Sequence, residues 1–183
     1  MVKVYLKEHN LSYSNILFKL SSDQRVNKYL NFKSTSIEET KEFIKYVIEA
    51  EEMGTEISRV IFNEEISAVG VITLIDIDNV SKSCHLGYWL GHKHWAKGYI
   101  TLAIEKMLHI AFEEIELEKV FIGARTRNIR SLKAQEKLPY ISVDVGGIYP
   151  EILQSLESKE KESCTLNVVS KEDYLQYKLI KDS

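Results

Sequence analysis

Polar and apolar positions alternate along residues 2–6, with Val2, Val4 and Leu6 on one side; a period of two predicts a first β-strand. Residues 11–30 shift to a helical period interrupted at Ser21-Ser22-Asp23, which predicts two short helices joined by a turn. Ser36-Ile37-Glu38-Glu39 has the form of a capping box, in which a serine oxygen and a glutamate serve the exposed backbone donors of a helix start. Ile37, Ile44, Val47 and Ile48 supply the buried stripe of that helix, and Gly54 its stop. β-Branched residues then fill 56–62 and 67–77 on either side of Asn63-Glu64-Glu65-Ile66, a hairpin pattern.

The stretch 83–101 organises the rest of the chain. Leu86, Tyr88 and Leu90 fall on one face of a strand while Gly87 and Trp89 fall on the other. Residues 91–97 have no period, and Ile100, Ala103, Ile104, Met107, Leu108 and Ala111 then mark one face of a helix running to about 116. Further strands are expected at 119–124, 141–145 and 165–169, with a closing helix over 170–180 carrying Tyr174, Leu175 and Tyr177. The charged run 157–162, inside the polar stretch 150–163, is expected to form a mobile loop tip.

A strand that feeds a loop opening into a helix at Gly98 leaves the first N–H groups of that helix without intrahelical partners. Those donors and the positive end of the helix dipole favour an anion such as a phosphate, with Lys97 adding charge and Gly98 permitting close approach. An ordinary strand-to-helix turn containing a glycine explains the same residues, and on this stretch alone both readings stay open.

A length of 183 residues with 44% hydrophobic residues suits a single domain with a full core. No 18-residue apolar run exists and residues 1–8 lack the apolar block of a signal peptide, so no membrane partner and a cytoplasmic location are expected. The only cysteines, Cys84 and Cys164, are too few for a disulfide framework and are expected to be reduced and structural. A net charge of −3 argues against a nucleic-acid partner. Asp76 and Asp78 read as a turn rather than a calcium loop. His92, His94 and nearby His85 suggest zinc by composition only, and no metal is expected.

The loop Trp95-Ala96-Lys97-Gly98-Tyr99-Ile100 resembles the acyl-CoA-binding signature of the GNAT acetyltransferases, Gln/Arg-x-x-Gly-x-Gly/Ala, at its central glycine. Leu86-Gly87-Tyr88-Trp89-Leu90 and Trp95 are similar to the ribosomal-protein N-terminal acetyltransferase branch (RimJ/RimL-like). Residues 128–140 keep every spacing of a second family motif, Asn-x-x-Ser, four residues, then Glu-Lys-Leu-Gly-Phe, except that Pro139 stands where the family has glycine and Tyr140 where it has phenylalanine. The resemblance runs from about residue 2 to about residue 178. It implies a single domain over 1–183 with the three-layer α/β/α GNAT fold: a mixed, mostly antiparallel sheet with splayed parallel strands 4 and 5 and helices on both faces. Because proline fixes φ near −65°, the helix before Pro139 must be capped without the positive-φ residue that glycine commonly supplies.

What the resemblance implies chemically is transfer of an acetyl group from acetyl-CoA, a cosubstrate, to an amine-bearing acceptor. The pantetheine arm would pair with the backbone at Tyr88 and Leu90; the pyrophosphate would meet N–H groups of Lys97, Gly98, Tyr99 and Ile100; Asn128 would bond the pantetheine or adenosine end. Arg125, Arg127 and Arg130 flank Asn128, as a solvated basic turn or as contacts to the adenosine phosphates. Ser131 is the favoured acid near the sulfur, with Tyr140 as runner-up, and the Leu90 N–H would stabilise the oxyanion. Glu151, His85 or a water chain would serve as base. A homodimer is frequent in this branch. The competing function is a non-catalytic acyl-CoA-binding or regulatory protein of the same fold, suggested by Ile100 and Pro139 at signature positions.

Overall fold

In the computed structural model, which describes residues 2–181 and 183, six strands form one sheet in the order β1-β2-β3-β4-β5-β6. They are β1 (Val4–Lys7), β2 (Ile57–Asn63), β3 (Ala68–Asp78), β4 (Ser83–Leu90), β5 (Lys119–Arg125) and β6 (Cys164–Ser170). β1–β2, β2–β3 and β5–β6 pair antiparallel, whereas β4 and β5 run parallel through Ser83↔Lys119, Cys84↔Val120 and His85↔Phe121. The sheet is therefore mixed and mostly antiparallel, as expected, and helices flank it. A parallel pair needs a crossover, and α4 (Tyr99–His109), continued by a π-helical turn at Ile110–Glu114, lies in that connection. Among the described residues no helix is long and apolar enough to cross a membrane.

The chain divides into two units, one of residues 1–77 and 87–107, the other of 78–86 and 108–183. In the first, α1 (Ser14–Ser21) and α2 (Gln24–Asn27) are separated by Asp23, which accepts from the Arg25 N–H and so starts the second helix. Ser36 Oγ accepts from the Glu39 N–H at 3.1 Å at the start of α3 (Ile37–Glu52). The Glu39 carboxylate reaches one residue further back than a capping box requires, to the Thr35 N–H at 2.6 Å and the Thr35 hydroxyl at 3.0 Å. At the other end Gly54, at φ +73°, lets its own N–H donate to Glu51 O and the Thr55 N–H donate to Ala50 O, the paired bonds of a left-handed helix stop. The buried stripe is Thr40, Ile44, Val47 and Ala50. Ile48 is 37% exposed, a correction to the sequence reading: one residue beyond Val47 turns it about 100° off the stripe's centre. Leu17, Ile44, Val60, Phe62, Ala68 and Val71 form the core here.

In the second unit β5 and β6 pair over seven residues. The charged run 157–162 is not a loop tip: its first four residues are the last of α6 (Pro150–Glu160), which Lys161 closes at φ +56°. Pro150 pre-sets the first turn, and Leu153 and Leu156 fill the spaces that Gly146 and Gly123 leave by lacking a Cβ. Residues 141–145 are not a strand either. They make one bridge, Ser142↔Val168, before Asp144 turns the chain at φ +51°. α5 (Ile129–Glu136) and α7 (Lys171–Lys181) complete this unit.

Candidate active site

In the first unit the geometry is set by how β4 ends. The Gly91 N–H donates to Val69 O of β3 at 2.9 Å, and the Trp89 carbonyl lies so close to Gly70 that a Cβ there would collide with it. In an extended strand successive residues direct their N–H and C=O groups to opposite sides. Leu90, between these two peptide groups, therefore directs both its N–H and its C=O away from β3, and Tyr88 shares that direction. The Leu90 carbonyl is held by the Trp95 indole, whose Nε1–H donates to it at 2.8 Å.

The chain then curls through a 3-10 turn at His92–His94, with Ala96 at φ +58° and Gly98 at φ +82°. The two left-handed residues, one on either side of Lys97, turn the chain sharply into the first turn of α4, whose leading N–H groups have no intrahelical partners. A left-handed alanine costs about 1 kcal/mol. A Cβ on Gly98 would meet nothing within 4 Å, so the space beside this backbone is open at the point where α4 begins. Tyr99 is buried, its hydroxyl 3.4 Å from a Glu64 carboxylate oxygen, while Lys97 is exposed and Ile100 half-buried. Burial, with Lys97 and Lys93 nearby, lowers the pKa of His94, and its buried Nδ1 has no hydrogen-bond partner.

In the second unit Asn128 caps α5: its Oδ1 accepts from the Ser131 N–H at 3.4 Å. Ser131 is half-buried in the first turn, and Gln135 Nε2 donates to its Oγ at 3.2 Å. Gln135 is 0% exposed, and its Oε1 accepts from Asn167 Nδ2 at 2.6 Å. Sequence reasoning passed over Gln135 and Asn167. The available signal was the place of Gln135 on the inner face of the helix, three residues from Leu132 and three from Leu138. Tyr140 is buried, with its ring edge-on to Tyr174 and Tyr177. Pro139 does require a different helix end: φ is not positive from 137 to 140, and the Leu138 N–H donates to Gln135 O.

Glu151 is exposed in the first turn of α6. His85 packs against the Phe121 ring. The basic turn around Asn128 is engaged by carboxylates: Arg125 Nε contacts Glu160 at 2.7 Å and Glu162 at 3.1 Å, and Arg127 forks onto Glu162. Burial raises the Cys84 thiol to about 12 and, with Glu160 and Glu157 adding to it, Cys164 to about 11, so neither is an activated nucleophile.

The family model described as "Acetyltransferase (GNAT) domain" matches residues 4–140. A protein of Bacillus subtilis (strain 168) named YdaF, described as a candidate ribosomal N-acetyltransferase, is 36% identical over 75 residues, 41% of each chain. The Escherichia coli (strain K12) ribosomal-protein-serine acetyltransferase is 28% identical over 96 residues, 52% of this chain and 53% of its own. The chain thus spans about half or less of the length of these two relatives. Among solved structures, the microcin C7 self-immunity acetyltransferase MccE, in complex with acetyl-CoA and AMP, superposes with a TM-score of 0.73 at 22% identity, covering 92% of this chain and 91% of its own. The RimL ribosomal L7/L12 α-N-protein acetyltransferase gives 0.69 at 21% identity over 79% and 83%. The match across most of the chain, on a sheet of this topology, makes it a member of the GNAT acetyltransferase family.

Proposed function

We propose that the chain is an N-acetyltransferase that moves an acetyl group from acetyl-CoA to a primary amine, with the α-amine of a protein N-terminus as the favoured acceptor. The observation that carries the reading is the loop after β4: left-handed Ala96 and Gly98 at the start of α4, with open space beside Gly98. The residues fit the cosubstrate. Backbone N–H groups of Lys97, Gly98, Tyr99 and Ile100 suit a pyrophosphate, and Tyr88 and Leu90 suit the amides of a pantetheine arm. Asn128 bonds the cosubstrate where its capping role leaves an amide N–H to give. The names of the Bacillus and E. coli relatives support the acceptor class.

Acetyl-CoA supplies an activated acyl group and a thiolate leaving group. The Leu90 N–H stabilises the acyl oxygen as charge gathers on it. Ser131, half-buried rather than enclosed in a ring cluster like Tyr140, gives the hydrogen bond to the leaving sulfur. Glu151, exposed to solvent, takes the proton from the amine directly or through water.

Calorimetric titration with acetyl-CoA tests the reading, with Gly98→Glu as the companion variant. Binding by the parent protein that the variant loses, with both folded by circular dichroism, is the expected result. A parent protein that does not bind acetyl-CoA overturns it.

A further inference from the structure

The polar chain beneath Ser131 has a direction, and that direction is fixed at its far end. The Asp144 N–H lies 2.9 Å from Asn167 Oδ1. A backbone N–H can only donate, so Asn167 turns its oxygen to Asp144 and its amide N–H to Gln135. Gln135 in turn gives its oxygen to Asn167 and its amide N–H to Ser131. The left-handed turn at Asp144 presents the N–H to a side chain rather than to a neighbouring strand, and Gln135 and Asn167 are 0% and 1% exposed. Water therefore does not compete for the bond between Gln135 and Asn167. At the end of the relay Ser131 Oγ accepts, and its single hydrogen is turned away from Gln135.

We infer that Gln135 and Asn167 are positioning residues that hold the Ser131 hydroxyl as a donor for the leaving sulfur. The inference rests on the role proposed above for Ser131. In the transfer the amine nitrogen bonds to the acyl carbon and the carbon–sulfur bond breaks with its electron pair on sulfur. The amine loses a proton to base, and the sulfur takes one from Ser131, whose oxygen regains a proton from solvent. Gln135 and Asn167 touch none of the reacting atoms. They turn the Ser131 hydrogen away from Gln135 before the reaction begins, which preorganises the hydroxyl for charge developing elsewhere.

Gln135→Glu tests this at nearly constant shape. An ionised carboxylate only accepts, so it draws the Ser131 hydrogen inward, reversing the last link. Thiol release from acetyl-CoA is measured with a short peptide bearing a free N-terminal serine. At about pH 8 the variant is expected to lose about ten-fold or more in kcat, approaching Ser131→Ala, with KM for acetyl-CoA nearly unchanged. The loss should shrink toward about pH 6, because a buried carboxyl regains its proton there and can donate again. A purely structural defect would not recover with pH in this way.

Side-chain amide exchange, followed by NMR on the free protein, reads the relay without turnover. Gln135 and Asn167 amide protons should exchange slowly, and Ser131→Ala should speed Gln135 while leaving Asn167 slow. Fast exchange at Gln135 in the parent protein overturns the relay. Full kcat in Gln135→Glu beside an impaired Ser131→Ala overturns the positioning role and leaves Ser131 standing. Full kcat in Ser131→Ala overturns both.

Discussion

Among the described residues each unit buries a chain of polar side chains, and the two are built on different principles. In the first, His9 Nε2 lies 2.9 Å from Ser58 Oγ, which lies 2.8 Å from Thr73 Oγ1. Both hydroxyls rotate and the ring has two tautomers, so the chain can run in either direction. One ring nitrogen, Nδ1, is buried with no hydrogen-bond partner. Burial, helped by the Arg59 guanidinium, pushes the pKa of His9 down to about 4, so the ring is neutral at neutral pH. In the second unit two planar amides and a backbone N–H leave one direction only. A hydroxyl chain tolerates the loss of a member by rotating toward another partner. An amide chain cannot, and direction is gained at the cost of that tolerance.

The sharpest way to break the second chain is Asn167→Leu, which strands the buried Gln135 Oε1 and takes the acceptor from the part-buried Asp144 N–H. With each orphaned group costing about 1–3 kcal/mol, a loss of about 4 kcal/mol is expected in urea unfolding. The first chain should fail by titration. His9 is at about 4 when folded against about 6.5 when unfolded, so the unfolded chain takes up a proton first as pH falls. Stability is then complete above about pH 6.5 and declines by about 3 kcal/mol by about pH 4, and His9→Gln should flatten that slope. Ser58→Ala should cost less, about 1.5 kcal/mol, because Thr73 can turn to another acceptor. Ser36→Ala, outside both chains, removes one helix cap and should cost about 1 kcal/mol by the same measurement.

Features set within a few residues were legible in the sequence. The Ser36 cap, the Gly54 stop, β4 and the apolar face of α4 follow from residues one to four apart, and the structure has all four. Reading failed where distant packing decides. Residues 141–145 alternate like a strand, yet Asn167, more than twenty residues on, captures the Asp144 N–H. Charge made 157–162 read as solvated, but Leu153 and Leu156, with Gly146 and Gly123 opposite them, hold the segment helical. Of the candidate site, the loop glycine and the Asn128 and Ser131 spacing were visible. Gln135 and Asn167 were not, because their contact joins residues 32 apart.

The indole of Trp95, anchored on the Leu90 carbonyl, gives the loop after β4 its own optical reporter. The chain has two tryptophans, so the difference between the emission of the parent protein and that of Trp95→Phe isolates this single chromophore. Its wavelength then follows whether the loop is latched to the strand end, and a titration that unlatches it is visible as a shift in colour without any label.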